Sequence, residues 1–145
     1  MLGSLYNTDI LTLSAGLKNT RLESPDASVR KVAKLCGSWV EIDIIMDGDV
    51  VADYALRVQA CALGQASAAI LQEGLIGASL AELTEARDAL RAMLKEDGEG
   101  AEKQFGGGRF EKLALLKGVA GYPARHGSTL LAFDAAVEAA TKKVD

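Results

Sequence analysis

The stretch SWVEIDIIMDGDVVADYALRVQA, residues 38–60, decides how this 145-residue chain folds. Val40, Ile42, Ile44 and Met46 alternate with Glu41 and Asp43, and an apolar period of two marks a strand buried on one face. Asp47, Gly48 and Asp49 are a turn signal. The chain then returns, with Ala52, Tyr54, Leu56 and Val58 expected inward and Asp53, Arg57 and Gln59 outward. The whole stretch reads as an antiparallel β-hairpin, and a tight turn brings the far ends of such a pair together. Cys36 precedes the first strand and Cys61 follows the second. Two thiols distant in sequence are therefore expected to meet at one edge of the sheet.

On the N-terminal side, Ser28 to Lys34 reads as a further short strand with Val29 and Val32 on opposite faces, and Pro25 interrupts the polar segment before it. Leu5, Ile10, Leu11, Leu13 and Leu17 recur at helical spacing and predict an amphipathic first helix. Beyond the hairpin, ALGQASAAILQEGLIG predicts a helix rich in small residues, able to pack closely on the sheet and closed by Gly77. Ser79 and Glu82 match a capping box, which opens a helix to Lys95 with Leu80, Leu83, Ala86, Leu90 and Leu94 along one stripe. Asp97 to Gly108 is polar and glycine-rich and reads as a mobile loop. Phe110, Leu113 and Leu116 mark a short helix, Tyr122-Pro123 breaks it, and Arg125 to Lys143 forms the last helix. With no internal repeat and no linker, residues 1–145 read as one domain.

Net charge is −4 and the lysines and arginines are scattered. No basic stripe points to a nucleic acid, and the acidic balance disfavours an anionic membrane as partner. The N-terminus lacks a signal-peptide pattern, and no apolar run reaches the ~18 residues of a membrane span. A cytoplasmic location is expected, where thiols stay reduced. Cys36 and Cys61 are then free thiols or metal ligands, although no C-x-x-C spacing accompanies them.

The bland account of each cysteine is a small buried hydrophobe. Against it, both fall at converging strand ends, and Gly37 and the Ala62-Leu63-Gly64 turn let backbone crowd close to them. Cys61 also stands at a helix start, where the dipole favours an anion. His126, the only histidine, opens the last helix. Alone it is an ordinary first-turn residue. Joined to two thiolates, its imidazole gives a Cys₂His set suited to zinc or iron in a tetrahedral site with one open position. FGGGRF, residues 105–110, lacks the Gly-Lys-Ser/Thr ending and the preceding strand of a phosphate loop. No Ser-His-Asp hydrolase pattern appears, because Ser128 lies two positions from His126 and no G-x-S-x-G elbow exists.

These parts, in this order, resemble the NifU/IscU-type iron–sulfur cluster scaffold family. LCGSWVEIDIIMDGDVVADYALRVQACALGQASAA, residues 35–69, resembles its two-cysteine hairpin core. FEKLALLKGVAGYPARHGSTLLAFDAA, residues 110–136, resembles its C-terminal segment, above all in the SufU branch, whose longer middle also matches Arg87–Gly108. Ser38 stands where the family carries an acidic residue, and Ser128 where it carries a third cysteine. Gly127 takes the place of the IscU-branch histidine, with His126 one residue earlier, a shift of about 100° around a helix.

The resemblance implies an α+β fold, a small antiparallel sheet of about three strands with helices packed on one side. It implies a non-enzymatic scaffold or carrier that takes sulfur from a cysteine desulfurase and passes a labile cluster, of 2Fe–2S type, to acceptor proteins. Cys36 and Cys61 carry over as cluster ligands and His126 as a shifted metal ligand. It also admits a SufU-type zinc-dependent sulfurtransferase, whose metal-bound thiolate accepts persulfide sulfur. The remaining reading is a metal-free degenerate member that binds assembly partners.

Overall fold

The computed structural model describes residues 11–12, 15, 19–34, 37–95, 105 and 108–144. The predicted first helix lies mostly outside them, with Leu11, Thr12 and Ala15 helical. Strands β1 (Ala27–Ala33), β2 (Ser38–Asp47) and β3 (Val50–Gln59) form one antiparallel sheet in the order β1-β2-β3. Val40, Ile42, Ile44 and Met46 face inward and are buried, as their period of two requires. Val29 is buried, while Val32 points out and is half exposed.

The return strand departs from simple alternation. Ile45 pairs with Asp53 but Met46 pairs with Val51, which leaves Ala52 as the extra residue of a β-bulge. A bulge reverses the inside–outside parity beyond it. Val51 is therefore buried and Ala52 exposed, so the inward position expected for Ala52 belongs to Val51. Tyr54, Leu56 and Val58, on the near side of the bulge, face the core as expected.

Arg57 lies on the outer face as expected, yet it is only 8% exposed, and Asp43 beside it 4%. Residues 19–22 cover them. The Thr20 N–H donates to the Leu56 carbonyl at 2.9 Å along the free edge of β3, and the Leu22 N–H donates to Asp43 Oδ2 at 3.1 Å. Arg57 forks onto both Asp43 oxygens at 3.0 and 2.8 Å, reaches Glu41 Oε1 with Nε at 2.9 Å, and donates to the Thr20 carbonyl at 2.6 Å. The Ser28 hydroxyl adds a bond to Asp43 Oδ1 at 2.8 Å. A buried ion pair is tolerated when its remaining donors and lone pairs are used in this way.

Helices α1 (Ala62–Leu75), α2 (Leu80–Lys95) and α3 (His126–Val144) pack on the inner side, with 3₁₀ turns at Glu111–Gly121 and Pro123–Arg125. Helix α3 is central and touches β1, β2, α1 and α2. Its buried Ala132, Ala135, Ala136, Ala139 and Ala140 let those neighbours come close, and Phe133 meets Phe110 edge-on with ring centres 5.3 Å apart. Gly77, at φ 85, ends α1 in the left-handed conformation its position requires. Among the described residues no helix is long and apolar enough to cross a membrane.

Arg109, from the FGGGRF stretch, closes the same helix end. Its guanidinium donates to the Gly74 and Ile76 carbonyls at 3.3 and 3.2 Å and pairs with Glu82 at 3.5 Å, a cation at the negative end of α1. The predicted Asp97–Gly108 loop lies outside the described residues except for Phe105, which is buried, and Gly108.

The capping box at α2 is complete. Ser79 N–H donates to Glu82 Oε1 at 2.9 Å, and Glu82 N–H donates to Ser79 Oγ at 3.1 Å. Ser79→Ala is expected to destabilise the chain by about 1 kcal/mol, read as a lower urea midpoint at unchanged slope. A Ser79→Asp variant, which keeps an N-cap acceptor, should stay near wild type.

Candidate functional site

The hairpin register pairs Trp39 with Gln59. Ser38, at the start of β2, is thereby held next to the exit of β3, where the chain passes through Ala60 into Cys61 and α1. Cys61 is the N-cap of α1, with φ −66 and ψ 170, and its side chain makes no capping hydrogen bond. The thiol instead turns to the first turn of α3. Cys61 Sγ lies 3.5 Å from Ser128 Oγ, and the Ser128 hydroxyl donates to Ser38 Oγ at 3.4 Å.

Ser38 and Ser128 are buried and Cys61 is partly buried. The mouth above them is lined by Gly37, Ser38, Gln59, Ala60, Cys61 and Arg125. Three elements thus deliver one side chain each, from the start of a strand and from the starts of two helices. Cys36 lies outside the described residues; its neighbour Gly37 is part of the lining.

His126 is placed differently. Its Nε2 lies 3.1 Å from the Val119 carbonyl and 3.2 Å from that of Ala120, so it donates to the backbone at the end of the 3₁₀ segment and ties that segment to α3. Ser128, two residues on, is the α3 residue that meets Cys61. Among the described residues no group of three or more His, Cys, Asp and Glu side chains is placed to hold a metal ion. The three side chains that do converge are one thiol and two hydroxyls.

The Cys61–Ser128 and Ser128–Ser38 separations of 3.5 and 3.4 Å are those of hydrogen bonds. Of the three groups, the thiol is the donor that suits zinc or iron, and hydroxyls are poor partners for either beside a thiolate. Arg125, which lines the mouth, carries no local signal in the sequence for that place. Ser38 and Ser128 stand at positions the resemblance marks, but the bond between them depends on the folded sheet and α3.

No family model matches the chain. Among solved structures, the chain is 40% identical to a nitrogen-fixing NifU-like protein (N-terminal) from Brucella abortus, over 99% of this chain and 96% of that one, with a TM-score of 0.89. Among curated proteins, it is 28% identical to the iron–sulfur cluster assembly scaffold protein IscU of Thermotoga maritima, over 95% of this chain and 94% of that protein. The match to the IscU scaffold protein of Streptococcus pyogenes is 29% identical over 72% of this chain and spans 62% of that relative's length.

Proposed function

Because the chain belongs to the NifU/IscU-type family of iron–sulfur cluster assembly scaffold proteins, we propose that it carries a labile iron–sulfur cluster at the sheet edge where Ser38, Cys61 and Ser128 meet. The observation that supports this reading is the contact of Cys61 with Ser128, and of Ser128 with Ser38. Cys61 and Cys36 act as the thiolate ligands. Ser128 and Ser38 fill the remaining side with hydroxyls that hydrogen-bond a thiolate or a bridging sulfide. His126 joins the ligand set only on leaving the Val119 and Ala120 carbonyls.

Such a site holds its cargo weakly, because a serine hydroxyl is a far weaker acid than a thiol and gives up its proton to a metal reluctantly. Weak holding is what a carrier needs. Release proceeds by ligand exchange, with acceptor thiolates taking the iron positions this chain leaves open and then displacing the two protein thiolates. Sulfur comes from a cysteine desulfurase, and the acceptors are apo iron–sulfur proteins. The cluster is of 2Fe–2S type, as the resemblance to the family implies, with two of its four terminal ligands from Cys36 and Cys61 and the other two left to an incoming partner.

The test is anaerobic reconstitution with ferrous iron and sulfide, followed by visible absorption and by the fluorescence of Trp39, the only tryptophan and the neighbour of Ser38. Sulfur-to-iron charge-transfer bands and quenching of Trp39 are expected, both absent in Cys61→Ala. Bands that persist in Cys61→Ala would place the cluster elsewhere. One equivalent of bound zinc in place of those bands would favour the zinc-dependent sulfurtransferase.

A further inference from the structure

Alanine is ordinarily the better helix former, yet α1 has glycine at position 64, three residues after Cys61 and inside the buried first turn. A Cβ there would lie 2.6 Å from Ser128 Oγ, 2.8 Å from Ala60 Cβ and 3.2 Å from the Ser128 carbonyl oxygen. All these atoms border the candidate site. Relief by Ala60 moves the backbone that carries Cys61. Relief by Ser128 breaks its contacts with Cys61 and Ser38, since its hydroxyl is buried between them.

We infer that Gly64 is a positioning residue for the site: by lacking a Cβ it admits the first turn of α3 and sets the separation of Cys61 Sγ from the side chain at 128. The inference rests on the reading of Cys61 and Ser128 as part of a metal-holding site. Other glycines do not share the role. Gly127, the chain neighbour of Ser128, would meet only Ala33 Cβ at 3.9 Å. Gly74 is as tightly packed on the same helix, but against Phe110 at 2.8 Å and Arg109 at 2.9 Å, near its opposite end. It supplies the matched control.

The experiment titrates Co²⁺ into the reduced full chain and reads thiolate-to-cobalt absorption and the ligand-field bands. Gly64→Ala is expected to weaken cobalt binding roughly 10–100-fold, the usual cost of disturbing what orients a ligand, and to shift the ligand-field bands. Gly74→Ala should lower the melting temperature while leaving affinity and spectrum as in wild type. On a Ser128→Ala background the Gly64→Ala loss should shrink to about threefold or less, the non-additivity expected of residues in contact. Should Gly64→Ala fail to fold, Gly64→Ala with Ala60→Gly removes the 2.8 Å contact, keeps the one to Ser128, and is expected to show the same loss. Wild-type affinity and spectrum in a folded Gly64→Ala chain overturns the positioning role. A wild-type chain without any thiolate-to-cobalt band overturns the metal-site reading itself, and the role of Gly64 with it.

Discussion

Arg57→Met is expected to destabilise the chain by about 3–5 kcal/mol, the cost of stranding a buried charge whose partner has been removed. The stranded charge is the Asp43 carboxylate, 4% exposed in the middle of the sheet. Removing both charges, as Arg57→Met with Asp43→Leu, should recover much of the loss, because a well-packed apolar pair is often as stable as the ion pair it replaces. Urea unfolding of the three chains checks this. A loss of less than about 1 kcal/mol in Arg57→Met, the value of a surface ion pair, would mean that residues 19–22 do not seal the outer face.

The same network has a pH signature. Burial pushes the Asp43 carboxyl up, but the Arg57 fork, the Leu22 N–H and the Ser28 hydroxyl outweigh it and hold the group at about 2, below its ordinary 3.8. A depressed carboxylate stabilises the folded state fully above its unfolded value, and that contribution is lost as pH falls through the folded value. For Asp43 the window runs from about pH 4 to about pH 2, with about 2 kcal/mol at stake. Hydrogen bonds from Arg57 and Arg30 lower Glu41 as well, in the same sense. Wild type should lose stability across that window, and Arg57→Met should show a much shallower slope.

The largest functional effect is expected from Ser128→Cys. The substitution places a third thiol where a hydroxyl now stands 3.5 Å from Cys61, and soft thiolates are the preferred donors for zinc and iron. Zinc affinity should rise on the order of 100-fold, since ligand deprotonation and binding are linked and a thiol ionises far more readily than a hydroxyl. A reconstituted cluster should in turn persist longer and move to an acceptor more slowly. Competition against a zinc indicator under reducing conditions measures the first effect. Unchanged affinity would show that residue 128 does not face the metal.

Local chemistry made much of the fold legible. The period-two run of β2, the Ser79–Glu82 box and the stop at Gly77 each follow from forces acting within a few residues, and each is found where expected. The expectation failed where distant chain intervened. Ala52 and Val51 exchange roles because a bulge shifts the register, which an alternating pattern cannot signal when both residues are apolar. Asp43 and Arg57 look like solvent-facing polar positions until residues 19–22 are laid across them.

The site divides in the same way. Convergence of the hairpin ends follows from antiparallel geometry alone, which brings Ser38 to Cys61. That Ser128 completes the contact depends on the docking of α3, for which the resemblance supplied the alignment and the residues themselves gave no sign. The orientation of His126 toward the Val119 and Ala120 carbonyls depends on the path of the 3₁₀ segment before it, and a helix-start histidine is compatible with either direction.

Delivery of a cluster from the Cys61 edge is read by transfer: the anaerobically reconstituted chain is mixed with a colourless apo-ferredoxin, the two are separated, and iron, sulfide and visible circular dichroism are measured on each. Iron and sulfide are expected to leave this chain together and appear in the ferredoxin with its own spectrum, faster from wild type than from Ser128→Cys. Retention of iron and sulfide on this chain, or a ferredoxin that fills no faster than from free iron and sulfide, would contradict it.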